Sequence, residues 1–353
     1  MYLKQIALLS YFLIASFSNT SSANPKKKFS THANKEVVCF IYHRFDDSRY
    51  PTTNVSVKDF EKHLAYLQRN NFKVITFSDA IRYLQSNEPA EEKIAVITID
   101  DGYRSFFTNG LPLLKKYKMP ATLFINTETV GGGDYMDWNT LESAMKSGIE
   151  IGNHTHSHSY FLNEDATCRY EKFRKEIELS QSLILKNLHI TPVVFSYPYG
   201  EFDDQMKSIV KDAGFVAAAA QNSGVLYTGT DLFQCPRLPM SEAYASENKF
   251  IEKASAKALE ILSASPNTAT MPKNKQPILT LTFDGTALQL NRLQCFIQGG
   301  NCLVDIVDKK GTITIKSAQP IAKRRRTLYT ITVPDKNGTW HWYSHLWINT
   351  TIK

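Results

Sequence analysis

The sequence contains only five cysteines, and no two of them form a CxxC pair, which argues against a cysteine zinc site. The excess of positive charge is small: 41 Lys and Arg face 34 Asp and Glu, partly concentrated in Lys26–Lys28 and Lys323–Arg326. A net charge of +7 does not select nucleic acid as a partner. Beyond Phe17, no apolar run is long enough to span a membrane. With 42% hydrophobic residues, 16 Gly and 14 Pro, the composition excludes collagen, a coiled coil and wholesale disorder.

The amino terminus has the features of an export signal. Lys4 precedes an apolar run from Ile6 to Phe17, which would cover only about 18 Å as a helix, whereas a hydrocarbon core is about 30 Å thick. The small residues Ser21–Ala23 follow this run. We therefore predict a signal peptide over residues 1–23 and an exported protein, periplasmic or secreted and open to association with the envelope. An uncleaved membrane anchor is the alternative.

Strand-like and helix-like patterns alternate between residues 37 and 262. The apolar runs of strand length are Val37–Tyr42, Val74–Ile75, Ile94–Ile99, Ala121–Ile125, Ile149–Ile151, Val193–Phe195 and Phe215–Ala217. Between them, Ser56 and Asp59 form a capping box, Ser78 is placed to start a second helix, and residues 166–188 have the longest helical periodicity. Buried strands that alternate with helices imply a parallel sheet, so we predict an α/β fold, a distorted (β/α) barrel of about seven units.

The remaining residues divide into a leader, a linker and a second domain. We predict a polar, basic leader over residues 24–36 and a linker over residues 263–277, where periodicity is lost and prolines accumulate. Residues 278–353 contain short strand-like runs separated by turns, which indicates a small antiparallel, β-sandwich-like domain. Cys295 and Cys302 in that domain could close a disulfide. The other cysteines are expected to be small buried residues: Cys39, Cys168 and Cys235.

Two polar segments follow strands of the predicted sheet. Asp100 and Asp101 end the third strand, and His154, His156 and His158 follow the fifth. An Asp-Asp-Gly sequence by itself is usually a turn, and the histidines could form a solvated loop. However, crowded imidazoles are better explained by a metal, and the carboxyl ends of different strands can converge. Two histidines and one carboxylate with an open position are typical of a catalytic zinc-type site, which leaves the second aspartate free to act as a base.

A third strand end supplies the aromatic turn Phe195–Gly200. In this order, the three segments resemble the polysaccharide deacetylases with NodB homology, carbohydrate esterase family 4, over about Val37 to Ala245. The features that carry the resemblance are a T-[FI]-D-D-G strand end, two histidines four residues apart and a P-Y-G turn. Together with Tyr42–Phe45 and Tyr50–Asn54, the turn looks more like the branch that contains poly-β-1,6-N-acetylglucosamine deacetylases than the chitin-oligosaccharide branch.

The resemblance implies roles for individual residues. It implies that Asp100 is the general base and that Asp101, His154 and His158 hold a divalent metal. Zinc is the favoured metal, and cobalt and nickel are alternatives. His156 occupies a position that the family motif leaves free, so a structural role is expected for it.

Two departures from the family pattern move roles to other residues. Ser196 stands where the family usually has an arginine before the P-Y-G turn, so Arg237 is the candidate to orient Asp100, with a packing or surface role as the alternative. The usual late Leu-x-His is missing, and His43, at the end of the first strand, becomes the candidate general acid. The alternative for His43 is a structural strand-end histidine.

Residues beside these motifs could bind sugar rings, although aromatic side chains more often belong to a core. The candidates are Trp138, Tyr103, and Pro198 and Tyr199 of the turn. The densest aromatic run, Trp340–Trp347, is either a glycan-binding face or the core of the second domain.

These features together predict metal-dependent hydrolysis of N-acetyl groups from a cell-envelope or extracellular polysaccharide. An N-acetylated polysaccharide is therefore the expected partner, and neither nucleic acid nor a stable transmembrane segment is expected once the signal is removed. An O-acetyl esterase on the same site and a non-catalytic glycan-binding protein are the alternatives. Metal content and acetate release distinguish them.

Overall fold

The computed structural model describes residues 35–91, 93–321 and 323–352. The predicted signal peptide over residues 1–23 and nearly all of the predicted leader lie outside these residues. Among the helices that it describes, none is both long and apolar enough to cross a membrane.

Strands and helices alternate through the larger, amino-terminal part of the described chain. Its strands are β1 (Glu36–Tyr42), β2 (Arg44–Phe45), β3 (Asn54–Val55), β4 (Lys73–Ile75), β5 (Ile94–Ile99), β6 (Ala121–Ile125), β7 (Ile149–Asn153), β8 (Val194–Ser196), β9 (Ala217–Ala219), β10 (Leu226–Tyr227) and β11 (Leu238–Pro239). Its helices are α1 (Val57–Arg69), α2 (Phe77–Gln85), α3 (Leu111–Tyr117), α4 (Trp138–Lys146), α5 (Arg169–Leu188), α6 (Asp204–Asp212) and α7 (Glu247–Ala254).

The wall of the barrel is a parallel sheet in the order β1-β5-β6-β7-β8-β9. Strands β5 and β6 are buried at every position, as expected for strands that are covered on both faces. One short segment joins the two edges of this sheet: Cys235 pairs with Ala219 of β9, and β11 pairs in parallel with β1. The predicted distorted (β/α) barrel is confirmed. Because β1, β5, β7 and β8 are parallel, the residues that follow them lie on one face of the barrel.

Helix starts agree with the sequence in one case and differ in another. Ser56 caps α1, accepting a hydrogen bond from the Asp59 N–H at 3.0 Å, as the capping box predicts. The prediction that Ser78 starts the second helix is wrong. Thr76 is the cap of α2, because its backbone is extended and its hydroxyl accepts from the Asp79 N–H, whereas Ser78 already lies inside the helix.

The carboxyl-terminal part is built from two four-stranded sheets. Its strands are β12 (Lys257–Ala258), β13 (Ile261–Ser265), β14 (Ile278–Phe283), β15 (Gln294–Ile297), β16 (Cys302–Asp308), β17 (Thr312–Ser317), β18 (Arg326–Pro334) and β19 (Trp340–Ile348). One sheet has the order β12-β19-β18-β15 and the other β13-β14-β17-β16. The predicted β-sandwich-like fold agrees with this arrangement, and its limits at residues 262 and 278 stay predictions. We call residues 257–352 the β domain, because β12 and β13 already belong to its sheets.

The cysteines and the last strand test three smaller expectations. Cys295 and Cys302 form a disulfide, and Cys39 and Cys235 are buried as predicted. Cys168 is only half-buried, because it lies in the turn before α5, at the surface. Trp347 is fully buried and belongs to the core of the β domain, which supports the core interpretation for this end of the aromatic run.

The β domain shares a hydrophobic core with the barrel. Leu346 and Ile348 of β19 pack in the same buried cluster as Phe195 and Tyr197, which flank the end of β8. The buried Ser344 hydroxyl also donates to the carbonyl of Ser223 at 2.6 Å. The β domain therefore packs directly against the part of the barrel that carries the P-Y-G turn.

Candidate active site

Three side chains that could hold a metal ion converge after the carboxyl ends of β5 and β7: Asp101, His154 and His158. Asp101 Oδ1 lies 3.5 Å from His154 Nε2 and 3.3 Å from His158 Nε2, and the two Nε2 atoms are 3.2 Å apart. Ligand atoms around a tetrahedral ion with bonds of about 2.0–2.1 Å are about 3.3 Å apart. This donor set therefore fits one divalent ion of the size of zinc.

Three residues in the two segments that carry these side chains have a left-handed backbone. Asp101 has φ 72°, Thr155 has φ 67° and His158 has φ 52°. Such values are uncommon outside glycine and are found where the surrounding structure imposes them, often at functional sites. Here they occur in the segments that follow β5 and β7, where the donor atoms lie together.

Hydrogen bonds around the donors orient the ring of His154 and hold the backbone at His158. The fully buried His154 donates from Nδ1 to the carbonyl oxygen of Ser196 at 2.7 Å, which leaves Nε2 to face Asp101. The backbone N–H of His158 donates to Thr155 Oγ1 at 3.2 Å. Burial and the neighbouring His154 lower the pKa of His158 to about 4, so its imidazole is in the neutral form that a metal requires.

Asp100 and Arg237 form a fully buried ion pair beside the three ligands. Arg237 donates to Asp100 Oδ1 at 2.7 Å and to Asp100 Oδ2 at 2.8 Å, and it also donates to Ser196 Oγ at 3.0 Å. Burial alone would raise the pKa of Asp100, but Arg237 and the adjacent histidines outweigh burial, and the pKa lies below its usual value. The carboxylate therefore stays ionised, with Oδ2 3.9 Å from His154 Nε2.

His43 lies at the end of β1, on the same face as this pair. Burial lowers the pKa of His43, and the negative charges of Asp101 and Asp100 oppose that effect. Within the described part of the chain, we find no hydrogen-bond partner for its ring. Among the described residues, the ring is therefore not held by a hydrogen bond, and both carboxylates oppose the effect of burial on its pKa.

A comparison with known proteins matches the segment that carries these residues. Residues 87–218 match the family model described as polysaccharide deacetylase, a range that contains Asp100, Asp101, His154, His158 and the P-Y-G turn. Over residues 87–218 the chain resembles the polysaccharide deacetylase family. This match agrees with the prediction from the sequence that the chain is a hydrolytic enzyme, a polysaccharide deacetylase.

Relatives and solved structures cover the barrel of this deacetylase. The chain is 25% identical over 213 residues to the poly-β-1,6-N-acetyl-D-glucosamine N-deacetylase of Staphylococcus aureus, covering 58% of this chain and 73% of that protein. The structure of IcaB from Ammonifex degensii matches with a TM-score of 0.55 and 23% identity, covering 62% of this chain and 97% of that one. The deacetylase PplD of Streptococcus pyogenes matches with a TM-score of 0.57 and 18% identity, covering 63% and 99%. These two structures show the same fold.

His156 of the deacetylase lies outside the donor group. Its Nδ1 is 2.9 Å from Thr127 Oγ1, whereas the group that could hold a metal consists of Asp101, His154 and His158. Glu176, which the sequence analysis missed, accepts from the backbone N–H of His156 at 3.1 Å. A glutamate in the middle of a long helix carries no local signal for this contact.

The four predicted sugar-binding residues differ in how close they lie to the donor group. Tyr199 packs edge-on against His158 with ring centres 4.4 Å apart, and Tyr103 directly follows Asp101–Gly102 and stacks on Tyr135. Pro198 is buried in the turn, so it shapes the turn and offers little surface to a ligand. Trp138 begins α4 and packs against the barrel core instead of the ligand group.

A second cluster at the rim was also missed. The Arg44 guanidinium lies between two tyrosine rings, 3.6 Å from the centre of Tyr103 and 3.9 Å from that of Tyr50. It also donates to Asp47 at 2.6 Å and to Asp134 at 3.3 Å. These contacts hold Tyr103 at the edge of the site.

Proposed function

We propose that this chain is a metal-dependent enzyme that removes N-acetyl groups from a cell-envelope or extracellular polysaccharide. The main support is that a donor set with tetrahedral spacing lies next to a buried, ionised carboxylate, with His154 Nε2 3.9 Å from Asp100 Oδ2. The S. aureus relative is named for N-deacetylation of poly-β-1,6-N-acetyl-D-glucosamine. We extend that reaction to this chain for N-acetylated polysaccharides as a class.

The metal would be held by Asp101, His154 and His158. We propose zinc, with cobalt or nickel as alternatives, because two imidazoles and one carboxylate are a donor set that suits these ions. When bound, the ion supplies Lewis-acid polarisation of the acetamide carbonyl and lowers the pKa of water.

The side chains around the donors would carry the proton transfers. Asp100, kept ionised by Arg237, would accept a proton from the attacking water, whose oxygen forms the new bond to the acetyl carbon. His43 would donate a proton to the amide nitrogen as the C–N bond breaks, so that acetate and a free amine leave the site. A backbone N–H near Tyr199 would donate to the oxyanion that develops between these two steps.

We also propose that the enzyme works outside the cytoplasm. The support is the signal-like sequence over residues 1–23, which fits the cell-envelope or extracellular polysaccharide that we propose as substrate. Removal of acetyl groups exposes amines, so the product polymer would gain positive charge.

Acetate release from purified glycans tests the proposal. Wild-type protein and Asp100→Asn would be loaded with zinc and incubated with N-acetylated glycans, with O-acetylated glycans and with fully deacetylated polymer as a blank. We expect acetate and new free amines in equal amounts from at least one N-acetylated glycan, and far less from Asp100→Asn. Release only from O-acetylated glycans would assign an esterase, and binding without release would assign a glycan-binding protein.

A further inference from the structure

Two arginines of the β domain contact the P-Y-G turn of the barrel. Arg325 directly precedes β18 and Arg326 is the first residue of that strand, far along the chain from the family match over residues 87–218. Their partners are Glu201, which directly follows the turn, and Tyr199 within it. The β domain therefore reaches a loop that also carries a side chain against His158.

Arg325 and Glu201 form a bidentate ion pair between the two parts of the chain. Arg325 Nε donates to Glu201 Oε1 at 2.7 Å, and Nη2 donates to Oε2 at 2.6 Å. The side chains are 10% and 3% exposed, so the pair is shielded from water. Arg325 Nη1 also donates to Asn163 Oδ1 at 2.7 Å. A planar guanidinium with this many fixed partners has one orientation, and lysine cannot reproduce it.

The same guanidinium begins a row of stacked rings that ends at a metal ligand. It lies 4.4 Å from the ring centre of Tyr160. Tyr160 stacks on Tyr199 with ring centres 3.6 Å apart and planes 5° apart. Tyr199 then packs edge-on against His158 at 4.4 Å. Each member restricts the position of the next one, from the β domain to the donor set.

Arg326 acts on the backbone of the same turn. It donates to the carbonyl oxygen of Tyr199 and, at 3.1 Å, to Gln221 Oε1. Tyr199 has φ 58°, a left-handed conformation that a tyrosine holds only when its surroundings require it. The contact with Arg326 is one such requirement.

We propose that the β domain completes the active site, with Arg325 and Arg326 as positioning residues that hold Tyr199 and, through it, His158. The proposal rests on the proposed function for its effect on turnover, but its effect on metal binding does not depend on that function. A purely structural ion pair would stabilise the contact between barrel and β domain and would leave the geometry of the donor set unchanged.

Variants in the full-length chain separate these possibilities. Arg325→Lys keeps the charge and removes the fork and the stack, and Tyr160→Leu breaks the row inside the barrel without touching the ion pair. The matched control is Arg324→Lys, the same change at the exposed neighbouring residue. Each protein would be stripped of metal and titrated with Co²⁺, whose visible absorption reports the ligand geometry, and zinc affinity would be measured by chelator competition.

We expect Arg325→Lys and Tyr160→Leu to weaken metal binding by about 10–100-fold, as changes behind metal ligands commonly do, and to alter the Co²⁺ spectrum. The turnover number should fall by a similar factor with little change in KM, and Arg324→Lys should match the wild type. The proposal is overturned if both variants keep the wild-type spectrum, metal affinity and turnover number. If wild-type protein binds metal but releases no acetate, the proposed function fails, and the metal titrations still decide the role of Arg325.

Discussion

Replacing Arg237 by methionine should disable Asp100 without removing it. The Arg237 side chain is fully buried and donates to both oxygens of Asp100, to Thr98, to Ser196 and to the carbonyl of Ala220. Methionine is similar in length and makes none of these bonds. Removal of one partner from a buried ion pair costs about 3–5 kcal/mol of folding free energy, because the other charge is left uncompensated.

The same change should raise the pKa of Asp100. Arg237 is the largest of the influences that lower this pKa, and burial, which raises it, would then prevail. A general base that is protonated near neutral pH cannot accept a proton, so we expect the turnover number to fall by about 10²–10⁴-fold. The acidic limb of the pH–rate profile should also move to higher pH.

Urea unfolding and pH–rate profiles of three proteins measure both effects. Arg237→Met should lose stability and activity, whereas Arg237→Met/Asp100→Leu should recover most of the stability and none of the activity, because no unpaired charge is left buried. Arg237→Lys keeps one charge and should fall between wild type and Arg237→Met. A fully active Arg237→Met protein with an unshifted acidic limb would refute the role that we give this pair.

Three further outcomes are expected. His154→Ala and His158→Ala should each lose the metal while His156→Ala keeps it, as metal analysis after dialysis would show, and equal loss in all three would mean a different ligand set. His43→Ala should retain metal, lose most of its turnover and flatten the basic limb of the pH–rate profile; normal turnover with an unchanged profile would exclude His43 as the acid. Burial lowers the pKa of His63 to about 4, below its unfolded value, so the neutral form is favoured in the folded state and stability is lost as pH falls. Between pH 7 and 5 the measured loss of stability should be about 2 kcal/mol smaller in His63→Gln than in wild type, as urea unfolding at both pH values would show.

Local patterns were sufficient to predict the barrel strands and the approach of the two polar segments, whereas the individual ligands came from the family resemblance. Strands such as β5 and β6 are continuous apolar runs, and a run of this kind has one common explanation in an α/β chain. The donors follow their strands directly, so the rule that parallel strands share a carboxyl face brings Asp101 and His154 together. Strand β9 was misplaced by two residues because it consists of three alanines, which have little strand preference.

Contacts between distant segments could not be predicted in this way. The segment that joins β9 to β1 has no apolar run of its own, and its role depends on both neighbours at once. Glu201 and Arg325 are 124 residues apart, and a single sequence gives no reason to pair them. Arg237 was proposed only because the usual arginine was missing; its two bonds to Asp100 are a property of the closed barrel.

The central claim is that Asp100 acts as the general base and that the adjacent Asp101 holds the metal. Measurements of metal content and acetate release on Asp100→Asn and Asp101→Asn test it most directly. Asp100→Asn should retain one metal ion per chain and lose about 10²–10⁴-fold in acetate release, because only the base is removed. Asp101→Asn should lose the metal, and its acetate release should fall with the metal content. A metal-free Asp100→Asn protein, or an Asp100→Asn protein that releases acetate at the wild-type rate, would contradict the claim.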